Sequence, residues 1–310
     1  MSVPHSLPSS PSGLPDGRQG SLDRLLRLAW REVASDDPAA PTPALVALHQ
    51  RPTREVFERG VALTGEGDAV ARVLGLRILR ELGPEQDDGR RPFSAETIPL
   101  LRGLLATESD PEVLSWIVST LGWHRAGSAL PEVAVLAEHP DERVRYAVVW
   151  ALPGLVTLTQ VEPEAVRALT ALCRDDDADI RYYALYSITR EIESVDVALV
   201  HRLTSRMADD PDGQVRSMAA GHHAAVGEVR RQLTEWNFDD LPGAPAGSAY
   251  DALIGPILVG LACGWAAADL SELLEARIRE RFGRVTAPDG TTAVVNRLLE
   301  WWQEQGEPGT

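Results

Sequence analysis

Aromatic side chains recur at helical spacing in two neighbouring stretches of the chain. The first stretch contains Tyr146 and Trp150, and the second contains Tyr182 and Tyr186. Residues four apart lie on the same side of a helix, so each stretch would present two rings together. Such rings can anchor a protein partner or stack on a nucleobase or another flat ligand. Aromatic residues make up only 5% of the chain, so this concentration indicates a binding surface, unless neighbouring helices bury the rings.

Histidines and carboxylates could supply metal or acid–base chemistry, but their spacing argues against it. His222 and His223 are adjacent, so on a helix their side chains diverge and form a poor chelate. The acidic runs at 175–179 and 209–212 lack the turn glycine and distal glutamate of an EF-hand loop, which favours helix capping. Glu191 could act as an acid or base beside the rings, although its helical position points towards the core. We predict no metal and no cofactor.

Composition excludes several classes of protein. All 30 basic residues are arginine, and without lysine neither Schiff-base nor P-loop chemistry is possible. The sequence motifs of zinc proteases, α/β-hydrolases and protein kinases are also absent. The net charge is −16 and the pI is near 4.9, so the protein repels phosphates and anionic lipid. Neither nucleic acid nor a membrane is therefore an expected partner.

An acidic turn followed by an apolar residue and a helical pattern occurs four times. The apolar residues are Val113, Val144, Ile180 and Val215, which lie 31, 36 and 35 positions apart. A regular period in this range is typical of a helical solenoid. Asp141 stands where an N-cap is needed, directly before an amphipathic pattern through Val144. We therefore predict an all-α fold, a right-handed α-α superhelix of about five to seven helix pairs.

The same pattern predicts how the chain is organised. Residues 1–20 are rich in glycine, proline and serine and have no secretory signal, which predicts a disordered tail on a cytoplasmic protein. Residues 21–236 would form the solenoid. Residues 237–310 would form a loop and irregular helices that cap the same solenoid, because terminal repeats depart from the consensus.

The repeated pattern is an acidic turn, then a Val-Arg or Ile-Arg pair, then an alanine-rich helix. It is clear from Asp141 to Leu152, and it resembles the HEAT repeat. Within that group the chain is similar to the short variety named for phycobilisome-lyase proteins. The resemblance covers 98–225 well and 53–82 weakly. It implies a scaffold or adaptor protein, with lyases and DNA glycosylases as a minority of the group.

The resemblance also implies structural roles for the repeated charged residues. In HEAT repeats the aspartate caps a helix and the arginine bridges neighbouring repeats. These roles would fall on three pairs: Asp141 with Arg145, Asp177 with Arg181, and Asp212 with Arg216. Val113 is followed by Leu114, so no such bridge is expected there.

The second helix of each pair lines the concave face of a solenoid, and the four aromatic residues fall on the outward side of two such helices. With Arg190 they would form a concave binding patch, whereas Tyr183 and Trp116 are expected to pack inward. The sequence thus favours a non-enzymatic scaffold that binds a protein or peptide, with a basic partner suggested by the acidic surface. The alternative is a glycosylase-like enzyme acting on nucleic acid or a small aromatic ligand. A free stripe of Arg145, Arg181, Arg190 and Arg216 would favour that alternative, and arginines paired with turn aspartates would disfavour it.

Overall fold

The computed structural model describes residues 21–304, apart from residues 36, 38, 88, 158–160, 193–196 and 238–249. The predicted tail at 1–20 and most of the predicted loop after 237 lie outside the described residues. Every regular element of the described residues is helical, so the prediction of an all-α fold is confirmed. The chain divides into two compact units, Met1–Thr120 and Leu121–Thr310. No helix within the described ranges is both long enough and apolar enough to cross a membrane.

The first unit is built from helices that pack in sequential pairs. Its helices are α1 Leu22–Val33, α2 Pro43–His49, α3 Arg54–Leu63, α4 Ala69–Glu81 and α5 Ser94–Leu105, and α6 Pro111–Trp123 starts in this unit and ends in the second. α1 packs on α2 and α3 packs on α4. A Cβ on Gly75 would lie 2.7 Å from the carbonyl oxygen of Gly60, so the close approach of α3 and α4 requires a glycine there.

The second unit contains the repeats that carry the aromatic residues. Its helices are α7 Leu130–Ala134, α8 Glu142–Leu155, α9 Pro163–Leu172, α10 Ala178–Tyr186, α11 Val197–Met207, α12 Gly213–Trp236, α13 Asp251–Ala262, α14 Ala267–Phe282 and α15 Pro288–Glu304. α10 continues into one π-helical turn, Ser187–Glu191. The single helix expected from 129 to 138 is instead the short α7 between two 3₁₀ turns. Pro131 lies in the first turn of α7, where its missing amide hydrogen is tolerated, and it separates α7 from the 3₁₀ turn before it.

Aspartate N-caps start the second helix of each repeat. The Asp177 carboxylate accepts a hydrogen bond from the Ile180 amide at 3.0 Å, which satisfies a donor that the helix itself cannot. Four other aspartates accept in the same way from the first turns of α4, α6, α8 and α12: Asp68, Asp110, Asp141 and Asp212. The acidic turns of the sequence therefore mark the starts of these helices.

Arginines four residues after the caps connect successive turns. Arg145 donates from Nε and Nη2 to the carboxylate of Asp175, at 2.6 and 3.0 Å. Arg181 makes the same two-bond contact with Asp210, at 2.9 and 2.8 Å. The acceptors are the acids two residues before the next cap, and each also accepts the amide of that cap. Arg216 donates to the carbonyl oxygens of residues 210 and 211.

The same bridge occurs once in the first unit, where sequence reasoning did not expect it. Arg72 lies four residues after the Asp68 cap and donates to Glu108 at 3.0 Å, and Glu108 also accepts the amide of Asp110. At the equivalent position after Asp110 the chain has Leu114, and the residue two before the Asp141 cap is His139 instead of an acid. Between Asp110 and Asp141 the chain therefore lacks both the arginine and the carboxylate that would form this bridge.

The C-terminal helices form one core with the second half of α12. α13 and α15 pack on α12, and α14 packs on both of them. The shared core includes Val229, Leu233, Leu253, Leu274 and Val294. α12 also packs on α10 and α11. One 24-residue helix therefore joins the repeats to the last three helices.

Candidate functional site

Two second helices, α8 and α10, pack side by side and carry the candidate site. Five aromatic residues on these helices are here named the aromatic patch: Tyr146, Trp150, Tyr182, Tyr183 and Tyr186. Four of the rings, those of Tyr146, Trp150, Tyr182 and Tyr183, contact one another, and Tyr186 lies one turn after Tyr182 on α10. The repeat that brings the two helices together is therefore what assembles the patch.

Tyr183 is at the centre of the patch. Its ring lies 4.6 Å from that of Trp150 and 5.7 Å from that of Tyr146, measured between centroids, and the second pair is edge-to-face. The Tyr182 ring meets it at 5.3 Å, also edge-to-face. Contacts of this geometry are favourable beyond the area they bury, so the rings hold one another in place.

The outer rings of the patch are open to solvent. Trp150 is 50% exposed, Tyr146 and Tyr186 are each 37% exposed, and Tyr182 and Tyr183 are half-buried. The apolar residues behind them, Val144, Val148 and Leu152 among them, are buried. A partner could thus reach three of the rings without any change in the helices.

The position of Tyr183 differs from the expectation of inward packing. The residue occupies the repeat position of Ala147, which is buried. A tyrosine is far longer than an alanine, so its ring extends out of the interhelical contact and reaches Tyr146 and Trp150. The size mismatch at an alanine position of the repeat is the sequence signal that could have identified it.

The π-helical turn changes the register at the end of α10. One extra residue enters the turn, so Ile192 is buried at the position that Leu155 takes in the previous repeat. Thr189 is buried and Glu191 is exposed, the reverse of what an uninterrupted α-helix predicts. Arg190 lies in this π-helical turn, four residues after Tyr186.

Arg190 connects the patch to the C-terminal helices. Its guanidinium carbon lies 4.8 Å from the centroid of the Trp302 ring on α15. The Cys263 thiol donates a long hydrogen bond to the Arg190 carbonyl oxygen at 3.9 Å. The Trp301 and Trp302 rings contact each other at 5.7 Å, and both residues are half-buried. The Tyr186 end of the patch is therefore bordered by α13 and α15.

Two carboxylates lie near the patch, Asp179 and Glu191. Burial raises the pKa of the Tyr183 hydroxyl, and the nearby Asp179 carboxylate contributes in the same direction. Burial also raises the pKa of Tyr186, and Glu191 adds to that shift. Glu191 itself accepts a hydrogen bond from the Ser187 hydroxyl at 2.8 Å, while partial desolvation raises its pKa.

The arginines beside the patch are engaged by carboxylates. The bridges of Arg145 and Arg181 hold their guanidinium groups against Asp175 and Asp210, and these contacts raise the pKa of both arginines. Arg190 stacks on Trp302. The sequence candidates therefore separate into two groups, exposed rings and structural ion pairs.

The adjacent histidines lie on α12 beside a small cavity. His222 is buried, and desolvation, together with nearby Arg190, lowers its pKa to about 4. The cavity has a volume of about 20 Å³ and is lined by Thr189, Ile254 and His222, with other apolar residues. This is room for roughly one water molecule. Among the described residues no group of three or more His, Cys, Asp or Glu side chains could hold a metal ion.

Helix pairs stacked through capped and bridged second helices define the class of α-solenoids. The family model for HEAT repeats matches residues 61–153, 98–189 and 133–222, which together span more than half of the chain. The chain therefore belongs to the HEAT-repeat family. The narrower resemblance to the phycobilisome-lyase variety remains a prediction.

Two solved structures of low sequence identity are similar to this chain. The chain is similar to the Escherichia coli protein YibA, with 15% identity, 92% of this chain and 94% of that chain covered, and a TM-score of 0.53. It also matches an engineered protein with 15% identity, coverage of 90% and 77%, and a TM-score of 0.44. A search of curated proteins finds no match.

Proposed function

We propose that this protein is a non-enzymatic cytoplasmic scaffold whose aromatic patch binds another protein or a peptide, with a basic segment as the natural partner. The observation that carries the proposal is the exposure of Tyr146 and Trp150, whose rings contact each other and Tyr183 across two packed helices, with Tyr186 also exposed on the second of them. Tyrosine and tryptophan are enriched at the energetic centres of protein interfaces, because they bury a large area at a low cost in conformational entropy.

The arrangement of the rings favours a surface partner over a small ligand. Trp150 and Tyr183 are in direct contact, so the patch offers outer faces rather than a gap between rings. The cavity beside the π-helical turn has room for about one water molecule. A protein or peptide can cover such a group of rings, whereas a flat ligand would be held from one side only.

The charges argue against the nucleic-acid alternative. A phosphate-binding surface needs arginines that are available to phosphates, but Arg145 and Arg181 each donate two hydrogen bonds to a carboxylate. The chain as a whole carries a net charge of −16. Both observations favour a basic partner.

Affinity capture followed by measurement with the purified partner tests the proposal. Wild type and a Tyr146→Ala, Trp150→Ala, Tyr182→Ala triple variant would be used on cytoplasmic extract of the source organism. The captured protein would be identified, purified and titrated against both. Loss of these three rings should weaken its binding by at least about 30-fold, the factor that corresponds to about 2 kcal/mol for an interface hot spot.

Trp30→Ala is the matched control, because Trp30 is also an exposed helical tryptophan, 42% accessible, on α1 in the first unit. It should bind the partner as wild type does. Circular dichroism would establish that all variants keep their helix content. Equal affinity of the triple variant and wild type would contradict the proposal.

A further inference from the structure

Both helices of the aromatic patch carry a carboxylate one turn before a ring. Glu142 lies four residues before Tyr146 on α8, and Asp179 lies four residues before Tyr183 on α10. Residues at this spacing share a helix face, so these carboxylates border the same surface as the rings. Both acids are exposed. Each acid lies in the first turn of its helix, where the helix dipole favours the charged form of a carboxylate.

Among the described residues no arginine forms an ion pair with either acid, although the charge of Glu142 does interact with that of Arg145. Arg145 and Arg181 are bonded to Asp175 and Asp210, whose side chains are only 4% and 8% exposed. Arg143 instead pairs with Asp141 through two hydrogen bonds. The surface around Tyr146, Trp150 and Tyr183 thus combines exposed π faces with acceptor carboxylates.

One side chain fits both features at once. The planar guanidinium of arginine can stack on an aromatic face and donate in-plane hydrogen bonds to a carboxylate, which an ammonium group cannot do in the same geometry. Arginine already lies over aromatic rings elsewhere in this chain, with Arg54 4.9 Å from the Phe93 centroid while it donates to Glu96 at 2.7 and 2.8 Å. This is the same combination of ring and carboxylate that the patch presents.

We propose that the aromatic patch receives an arginine side chain of a basic partner segment, stacked on one of the two exposed rings of Tyr146 and Trp150 and hydrogen-bonded to Glu142 or Asp179. This inference rests on the proposed function and specifies the partner group that the patch recognises. The acidic net charge of the chain would attract such a segment over a longer range, and the rings would supply the selectivity for arginine.

Defined peptides test the inference on the full-length protein. The probes are fluorescein-labelled peptides of repeated Gly-Ser-Arg, together with versions in which every arginine is replaced by citrulline or by lysine. Citrulline keeps the planar shape and removes the charge. Fluorescence anisotropy at about 30 mM and about 300 mM NaCl would separate stacking from long-range attraction, because salt screens the latter. The arginine peptide should bind about tenfold more tightly than the citrulline peptide and more tightly than the lysine peptide.

Matched variants connect that preference to the patch. Trp150→Ala should weaken binding of the arginine peptide about fivefold. Trp150→Phe should weaken it less, since phenylalanine keeps a π face. Asp179→Asn should reduce the affinity at low salt about threefold. Two controls, Trp30→Ala and Glu112→Gln, should leave it unchanged, because they remove an exposed ring and an exposed first-turn carboxylate elsewhere.

The outcomes separate this inference from the proposed function. Equal binding of the arginine and lysine peptides, or equal losses in Trp150→Ala and Trp30→Ala, would overturn the inference and indicate attraction by net charge alone. If the captured partner still depends on Trp150 in that case, the proposed function stands and only the arginine assignment fails. If neither the peptide nor the partner depends on the rings, both fail.

Discussion

Removal of Arg181 should destabilise the second unit strongly, because it leaves a carboxylate without its partner inside the stack. The Arg181 and Asp210 side chains are 10% and 8% exposed and share two hydrogen bonds, and Arg181 also donates to the carbonyl oxygens of residues 175 and 176. Breaking a buried pair by removing one partner costs about 3 to 5 kcal/mol. We expect about 3 kcal/mol for Arg181→Met, the lower end, since the bridge lies at helix N-termini close to solvent.

The assay is urea denaturation followed by circular dichroism. The unfolding midpoint of Arg181→Met should fall while the slope stays constant, since the same surface is exposed on unfolding. Arg167→Met is the matched control, because Arg167 pairs with Glu164 while its own side chain is 70% exposed, and it should cause no measurable change. The double variant Arg181→Met, Asp210→Leu should recover part of the loss, because no charge is then left buried.

A small effect would refute this reasoning. If Arg181→Met lowered the free energy of unfolding by less than about 1 kcal/mol, the pair would be behaving as a surface ion pair. The two-bond contact would then not be part of what holds successive repeats together. A loss equal to that of Arg167→Met would lead to the same conclusion.

Two further predictions concern stability. The pKa of His222 is about 4 in the folded protein against 6.5 in the unfolded chain, because burial and nearby Arg190 disfavour its charged form. The unfolded state therefore binds the proton at a higher pH than the folded state, and the free energy of unfolding falls as the pH falls from 6.5 to 4. His222→Leu lacks this group, so urea titrations should show that its free energy of unfolding falls by up to about 3 kcal/mol less than that of wild type over this range. Gly154→Ala would press its Cβ against the Gly122 carbonyl oxygen and should cost about 1 to 3 kcal/mol in urea denaturation. Gly227→Ala, with nothing within 4 Å of its Cβ, should instead stabilise the helix by up to about 1 kcal/mol, and the reverse order of the two midpoints would contradict this prediction.

The helices of the repeats could be predicted closely from the sequence, because local chemistry determines them. Asp141, Asp177 and Asp212 cap α8, α10 and α12 through hydrogen bonds to amides two or three residues away. The partners of the bridging arginines were not predicted, since Asp175 and Asp210 lie about 30 residues away from Arg145 and Arg181 along the chain. Only the packing of one repeat on the next brings these groups together.

The candidate site was predicted less completely than the helices. The spacing of Tyr146 and Trp150 indicates a shared face, and these rings do lie together and exposed. The central role of Tyr183 depends on contact between two helices, which the periodicity of a single helix does not contain. The register change at 187–191 arises from one π-helical turn, and no residue type in Ser187–Glu191 marks it in advance.

Site-specific photo-crosslinking tests most directly whether the aromatic patch is the partner-binding surface. The photoreactive p-benzoylphenylalanine would replace Trp150 in one protein and Trp30 in another, and each would be irradiated with the captured partner before mass mapping of the linked peptides. Both tryptophans are exposed, so the probe is accessible at either position. If the aromatic patch binds the partner, we expect a crosslink to the partner from position 150 and none from position 30. A crosslink from position 30 alone, or none from position 150 while the partner remains bound, would contradict it.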